Sequence, residues 1–215
     1  MNKSVYSLVL TDEVVAQIDL AAYEMNTSRS NLINQILADY VSYTTPEKRM
    51  REVFSRVEQT LVGGNVFQLL LQPSESMFSL RSALSYKYNP TVRYSVELYR
   101  EAKPYFGELR VSIRSQNSVL TLALLQFFKL WAKIEQSYVG RVECSIEDTR
   151  FTRKLRLPES VELDNESLGE AIAAYIELFD RALKTYFENL NNPAAAMRRV
   201  EQLYAARLRE NAVIL

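Results

Sequence analysis

Four arginines alternate with apolar residues in segments that have the pattern of β-strands. In residues 77–87, 91–99 and 108–114, one face of each strand would be apolar and the other would carry the charges. A cationic sheet face could bind an anionic effector or nucleic acid. The residues that would form this anion-binding face are Arg81, Arg93, Arg110 and Arg114.

Two other interpretations of the cationic face are consistent with the residue types. It could be covered by residues 159–180, which contain 7 acidic side chains and no basic one. It could also be the solvated face of a one-sided antiparallel sheet, which is the ordinary arrangement of such sheets. The sequence leaves all three roles open.

The composition excludes several classes of site. The chain has no histidine, so imidazole cannot serve as a base, a metal ligand or a pH switch. Its single cysteine, Cys144, can form neither an internal disulfide nor a thiolate metal cluster. Because no set of catalytic groups is recognisable either, we expect no enzyme, no metal and no cofactor.

Charge is distributed unevenly along the chain, although the net charge is zero. Residues 1–47 carry 2 basic and 6 acidic side chains, residues 48–158 carry 18 and 10, and residues 159–215 carry 6 and 10. The middle segment is therefore the part that would attract anions. Neither a signal peptide nor an apolar run long enough to span a bilayer is recognisable, so we expect a cytoplasmic protein with no membrane partner.

The first 45 residues have the order strand, helix, turn, helix. Residues 5–10 alternate as a strand does, and residues 12–25 and 28–41 carry apolar side chains at helical spacing. A lone strand at a chain terminus needs a partner, and the same strand of a second copy is the simplest one. The pattern therefore predicts a homodimer.

Two segments resemble the ribbon-helix-helix family of DNA-binding proteins: LVLTDEVVAQID (Leu8–Asp19) and SRSNLI (Ser28–Ile33). That family has a short strand, then a helix with a Leu-Asp pair, which is Ile18-Asp19 here, and a second helix that opens with Ser-Arg-Ser and an aliphatic pair. The resemblance covers about residues 4–43, at the N-terminus of the chain. The remaining residues resemble no family that we can name.

The resemblance implies that two paired strands lie in the major groove of DNA and that their outward side chains touch base edges. The outward positions here are Lys3, Val5, Ser7 and Val9. The valines differ from the family's usual long polar residues, because valine can contact a thymine methyl group but cannot recognise guanine. The side chains that would form the dimer core are Tyr6, Leu8, Leu10, Ile18, Leu32, Ile33, Leu37 and Tyr40.

A second DNA contact is expected at the start of the second helix. Free backbone N–H groups there can hold a phosphate, with Ser28, Arg29 and Ser30 as further donors. The alternative interpretation is that Ser28 is a plain helix cap and that Arg29 is a solvated surface charge. Because Lys3 and Arg29 are the only basic residues of this unit, we expect weak or cooperative DNA binding.

The rest of the chain predicts an antiparallel sheet with packed helices. Short turns with Pro, Gly and Asn separate the strand candidates, which favours antiparallel neighbours. The predicted helices cover residues 47–62, 118–137, 166–190 and 194–211. The predicted strands cover residues 66–72, 77–87, 91–99, 108–114 and 150–157.

We therefore predict an α+β protein with two domains. Residues 1–45 form a ribbon-helix-helix unit for dimerisation and DNA binding, and residues 46–215 form a domain with a sheet over about 66–157 and an αα-hairpin over about 166–211. The expected function is that of a sequence-specific transcriptional regulator, a repressor that acts as a homodimer. Its C-terminal domain would sense an anionic ligand, bind a protein partner or drive oligomerisation.

A different class of function is also open. In this alternative the chain is an interaction protein of the antitoxin type, and the ribbon-helix-helix unit serves only as a dimer clamp. A dimer clamp needs the apolar core residues but makes no contact with DNA. Binding to DNA is therefore the property that separates the two hypotheses.

Overall fold

The computed structural model describes residues 5–71, 74–101, 104–158, 161–210 and Leu215. Within them the chain is a mixed α+β protein with six helices and one six-stranded antiparallel sheet. This confirms the predicted fold class at the level of its helices and its sheet. The described residues group into two compact units, which are considered separately below.

The first unit ends at Lys48 and contains two complete helices. Helix α1 (Asp12–Glu24) begins with two acidic residues, where the helix dipole favours negative charge. Helix α2 (Arg29–Tyr40) begins after Ser28, whose hydroxyl accepts a hydrogen bond from the backbone N–H of Asn31 at 3.3 Å. Capping and helical periodicity thus place both helices close to the predicted positions.

The strand predicted over residues 5–10 is not formed in the single chain. These residues have neither strand nor helical structure, and no backbone hydrogen bond joins them to another described residue. A strand requires a second strand to pair its N–H and C=O groups, and the single chain provides none. The prediction of a strand is therefore wrong for the isolated chain, which has no ribbon-helix-helix arrangement by itself.

The second unit begins at Arg49 and is built on the sheet. The strand order is β1-β2-β3-β4-β6-β5, and each strand is antiparallel to its neighbours. The strands are β1 (Gln68–Leu69), β2 (Met77–Ala83), β3 (Thr91–Leu98), β4 (Gly107–Ile113), β5 (Cys144–Glu147) and β6 (Arg150–Leu155). Strand β1 is much shorter than the predicted strand over 66–72, and the edge strand β5 was not predicted.

Four helices contribute to this unit and cover one face of the sheet. They are α3 (Pro46–Val62), which enters the unit at Arg49, α4 (Ser118–Val139), α5 (Asn165–Glu188) and α6 (Pro193–Arg209). Helices α5 and α6 pack against each other, as the predicted hairpin requires. Of the helices in the described residues, none is long and apolar enough to cross a membrane.

Aromatic side chains join the helices to the sheet. The ring centroid of Phe179 on α5 lies 5.0 Å from Trp131 and 5.4 Å from Phe127, both on α4. The same ring lies 5.4 Å from Phe151 on β6. Such pairs stabilise beyond the area that they bury, by about 0.5–1.5 kcal/mol each. The centre of the core is therefore an aromatic cluster between α4, α5 and β6.

Helices α3 and α5 approach each other closely at Gly169. A Cβ atom at this position would lie 2.7 Å from the carbonyl oxygen of Val53 and 2.7 Å from Cβ of Arg56. The Arg56 guanidinium then reaches along α5 to pair with Glu166 at 3.2 Å and with Glu170. Two acidic residues of α5 thus form ion pairs that attach this helix to α3.

A buried ion pair lies on the helix-covered face of the sheet. Arg153 of β6 is 2 % exposed, and its Nε lies 2.9 Å from Oε1 of Glu135 on α4. The hydroxyl of Tyr175 donates to the same Oε1 at 2.8 Å and accepts a hydrogen bond from Trp131 Nε1 at 3.0 Å. The guanidinium also donates to the backbone oxygen of Leu215. Burial raises the pKa of Glu135.

Glu135→Leu should destabilise the second unit strongly, because it leaves the Arg153 guanidinium buried without its counter-ion. We expect the free energy of unfolding to fall by about 3–5 kcal/mol. Combining it with Arg153→Met removes both charges and should recover most of the loss. Urea unfolding followed by circular dichroism measures both variants. A double variant no more stable than the single one would contradict this account of the pair.

Candidate nucleic-acid interface

The residues predicted to touch base edges lie in the irregular segment before α1. Val5 and Val9 are fully exposed, and Ser7 is exposed as well. Lys3 lies outside the described residues. The side chains of Val5, Ser7 and Val9 are thus free to contact a ligand, and contact with bases stays a prediction.

Most residues predicted for the dimer core are exposed in the single chain. Leu32 is buried, and Ile18 and Ile33 are half-buried. The exposed members are Tyr6, Leu8, Leu10, Leu37 and Tyr40. The same unit exposes further apolar side chains: Val14, Leu20, Tyr23, Met25, Ile36, Val41 and Tyr43. Exposed apolar side chains in such number are typical of interaction sites.

The first turn of α2 presents exposed polar side chains at the predicted phosphate position. The Ser28 hydroxyl accepts the capping hydrogen bond, as the alternative interpretation expects, and retains its own proton for donation to a ligand. Ser30 has no hydrogen-bond partner within the described part of the chain. The free N–H groups of a helix N-terminus add to these donors.

Arg29 is held by Asp19, a contact that the sequence did not predict. Its Nε lies 2.5 Å from Asp19 Oδ1, and a terminal nitrogen contacts the other carboxylate oxygen. The hydrogen bond and charge of Asp19 raise the pKa of Arg29. A phosphate at this position would have to compete with Asp19 for the guanidinium.

In the second unit, the face of the sheet that the helices leave open carries aligned arginines. The strand register places Arg81 opposite Arg93, Arg93 opposite Ser112, and Ser112 opposite Arg150. We call Arg81, Arg93, Ser112 and Arg150 the arginine row. It crosses the four adjacent strands β2, β3, β4 and β6.

The three arginines of the row are exposed and only lightly paired. Arg81 Nε donates to the side-chain oxygen of Gln68 at 3.0 Å, and Arg150 lies 3.7 Å from the carboxylate of Glu147. Arg93 has no side-chain partner among the described residues. Like charges placed opposite each other destabilise a sheet, so Arg81 and Arg93 are a cost to the protein without a bound anion.

The predicted anion-binding residues therefore divide into two groups. Arg81 and Arg93 belong to the arginine row, whereas Arg110 pairs with Glu108 and lies 4.0 Å from Glu97. Arg114 is exposed and follows the end of β4. Arg150 was not among the predicted residues, although its alternation with the apolar residues of β6 was a usable signal.

The other end of the open face is neutralised by a hydrogen-bonded cluster. Lys154 Nζ lies 2.6 Å from Glu108 Oε2 and 2.5 Å from the hydroxyl of Tyr99, which itself donates to Glu108 at 2.9 Å. Burial alone would raise the pKa of Glu108, but hydrogen bonds from Lys154 and Tyr99 outweigh it and lower the pKa. The cationic character of the face is thus concentrated at the arginine row.

The acidic segment does not cover the arginine row in the described residues 161–180. Asp180 of α5 accepts hydrogen bonds from Ser82 at 2.5 Å and Tyr94 at 2.9 Å, which lie on the helix-covered face. Burial, followed by the Asp180 charge, raises the pKa of Tyr94 well above its usual value. The arginine row is therefore left exposed to solvent or to a partner.

Two grooves in the second unit could hold small molecules. One of about 710 Å³ is lined by side chains of both charges: Glu177, Asp180, Arg181, Lys184, Glu188, Arg207 and Glu210. Another of about 800 Å³ is more apolar and includes Phe106, Leu157 and Leu163. In the part of the chain that the structure describes, no three His, Cys, Asp or Glu side chains cluster as metal ligands do.

The sequence matches no protein-family model, and neither a curated protein nor a solved structure matches the chain. The resemblance of the first unit to the ribbon-helix-helix family therefore rests on its own residues.

Glu108→Gln should make stability less dependent on acidic pH. Because the pKa of Glu108 lies below its ordinary value, its carboxylate stabilises the fold above that value, and this is lost as pH falls through the lowered pKa. We expect a loss of about 1–2 kcal/mol at neutral pH that shrinks toward zero near pH ~3. Urea unfolding followed by Trp131 fluorescence measures it.

The matched control is Glu188→Gln, which removes an exposed carboxylate from α5. This variant should change stability by less than about 0.5 kcal/mol at either pH. A loss for Glu108→Gln that stays constant from neutral to acidic pH would contradict the cluster's assigned role.

Proposed function

We propose that this chain is a homodimeric, sequence-specific DNA-binding regulator of the ribbon-helix-helix type. Residues 5–10 of two copies would pair as an antiparallel ribbon, and the helices α1 and α2 of both copies would share one core. The observation that carries the proposal is the exposed apolar surface of the first unit together with its unpaired, alternating N-terminal segment.

Strand pairing between two copies would satisfy two needs at once. It gives partners to the backbone N–H and C=O groups of residues 5–10, and it covers Tyr6, Leu8 and Leu10, which are now exposed. Burying one leucine stabilises by about 1.5–3 kcal/mol, so both copies gain from the contact. A segment that pairs with itself in antiparallel fashion has the two-fold symmetry that a homodimer requires.

The helices offer a surface that such a dimer would also cover. Leu37 is 52 % and Tyr40 87 % exposed, although both lie at helical spacing on α2. Side chains of this size at regular spacing ordinarily face a core. The partner that fits this surface best is the same surface of a second copy, because the first unit of a single chain buries few of its apolar side chains.

DNA binding is supported by the surface that the paired strands would leave free. In the ribbon, Ser7 would present its hydroxyl and Val5 and Val9 their methyl groups to the major groove. The exposed first turn of α2, with the Ser28 and Ser30 hydroxyls, would hold a backbone phosphate on either side. The operator would then be contacted in a two-fold symmetric way, and the role of repressor follows from the family resemblance.

The alternative, a dimer clamp of an antitoxin-like interaction protein, is favoured by one observation. Asp19 engages Arg29, and residues 1–47 carry 6 acidic side chains against 2 basic ones. Such a unit repels a polyanion except at the α2 N-terminus. Titration of the full chain with a duplex from upstream of its own gene, and with a scrambled duplex of equal length, separates the two, since a clamp would show no preference for the upstream duplex.

Leu8→Glu should convert the dimer into a monomer, because it places a charge in the shared core. The matched control is Val9→Glu, which adds the same charge to the outward face of the ribbon and should leave the dimer intact. Both side chains are exposed in the single chain, so a monomer would tolerate both equally. Light scattering at micromolar concentration measures the mass. A monomeric wild type, or equal effects of both variants, would contradict the proposed dimer.

Asp19→Asn should raise the affinity for DNA several-fold, because it releases the Arg29 guanidinium for a phosphate. The slope of log affinity against log salt should steepen by about 1 per new contact. Fluorescence anisotropy with the upstream duplex measures both quantities.

The control for this variant is Glu24→Gln, which removes an equal charge from the end of α1; Glu24 is exposed and forms no ion pair with Arg29 among the described residues. Its effect on the slope should be smaller. Equal slopes for Asp19→Asn and Glu24→Gln would remove Arg29 from the set of phosphate contacts.

A further inference from the structure

The arginine row is a surface built by the strand register. Arg81, Arg93 and Arg150 come from three strands, and antiparallel pairing brings them to the same level of the sheet. Arg81 and Arg93 stand directly opposite each other despite the repulsion between them. A bound anion would remove this cost, which makes the row a candidate binding surface in its own right.

The shape of the surface favours an extended ligand. Small-molecule sites are concave and bury most of their ligand. The row lies on an open sheet face, and neither of the two grooves described above includes any of its residues. A row of exposed guanidinium groups that lies outside these grooves is suited to a polyanion that passes across it.

The spacing agrees with a nucleic-acid backbone. Neighbouring strands lie about 4.8 Å apart, so the row from β2 to β6 extends over roughly 14 Å. A strand of duplex DNA carries one charge per about 3.4 Å along the axis, which places about four phosphates over that length. Guanidinium groups bind phosphate oxygens in bidentate fashion.

The neighbouring side chains are suited to phosphates and poorly suited to bases. Ser112 lies in the row between Arg93 and Arg150, and Thr152 lies on the same face one level away. Both are half-buried, and their hydroxyls can donate to phosphate oxygens. The row contains no aromatic side chain on which an unpaired base could stack. A double-stranded backbone fits this surface better than a single strand does.

We propose that the open face of the sheet binds the phosphate backbone of duplex DNA through Arg81, Arg93 and Arg150, without reading sequence. The choice of DNA as the polyanion rests on the function proposed for the first unit. The two units then differ in their tasks. The ribbon selects the site, and the arginine row supplies salt-dependent affinity that the acidic first unit lacks.

The test uses the full chain and two duplexes of equal length, one from upstream of its own gene and one with the same bases scrambled. Arg81→Gln combined with Arg93→Gln should lower the affinity for both duplexes by the same factor, about tenfold or more. The slope of log affinity against log salt, measured between about 50 and about 200 mM, should fall by about 2.

The matched control removes two arginines from the other side of the second unit. Arg198 and Arg209 are exposed on α6, which packs on α5 away from the open face, so Arg198→Gln with Arg209→Gln should leave the slope unchanged. Circular dichroism verifies that each variant is folded. Arg150→Gln, on a separate strand, should lower the slope by about 1 and provides an independent measurement.

The outcomes separate this proposal from the function of the first unit. A wild-type slope in the Arg81/Arg93 variant, an equal loss in the α6 control, or binding of single-stranded RNA in place of duplex DNA would overturn the proposal. If the ribbon does not select a site, the wild type will bind both duplexes equally while the arginine variants still weaken both. Loss of preference for the upstream duplex thus counts only against the first unit.

Discussion

The ion pair between Arg153 and Glu135 is the interaction on which the second unit depends. A guanidinium on the core-facing side of β6 is tolerable only where a carboxylate and further hydrogen bonds meet it. Glu135 comes from α4, and Tyr175 of α5 holds its carboxylate in place. The need to neutralise the buried guanidinium therefore fixes β6 against α4 and α5. The aromatic cluster packs around this arrangement.

Because helices cover one face of the sheet, polar and charged side chains are found on the other face. Arg81 and Arg93, which point outward from the central strands, remain in water, where charged groups carry little desolvation cost. Glu108 on the same face is buried and depends on its hydrogen bonds. Antiparallel register then decides which of these groups become neighbours. It pairs Arg81 with Arg93 at one level and gathers Glu108 and Lys154 at another, so a single sheet face contains an unneutralised region and a neutralised one.

Periodicity predicted the long elements well. The apolar stripes of α4 and α5 and the alternation in β2, β3 and β4 reflect burial against one core, which leaves a regular imprint on the sequence. The four-residue strand β5 was missed because so short a segment shows too little alternation to separate it from a loop. Alternation over residues 5–10 indicated a tendency to form a strand, but a single chain contains no partner to complete it.

Contacts between distant residues could not be predicted in the same way. The pairing of Arg29 with Asp19 joins two helices and changes the charge that the N-terminus of α2 offers. The burial of Arg153 follows from the alternation of β6, yet nothing local identifies Glu135 as its partner. The residues of the candidate site could therefore be predicted from the sequence. The structure adds which of them already form ion pairs or hydrogen bonds with other residues of the chain.

The sheet has short edges, and this affects where two copies of the chain can join. Long, flat edge strands expose rows of free N–H and C=O groups, which invite uncontrolled association. Here β1 spans 2 residues, and β5 spans 4 and ends in a glutamate. Edge-to-edge stacking of sheets is thereby discouraged. The exposed segment over residues 5–10 offers a longer run of unpaired backbone than either sheet edge does. Under the proposed dimer, pairing between two copies would therefore occur at this segment and not at the edges of the sheet.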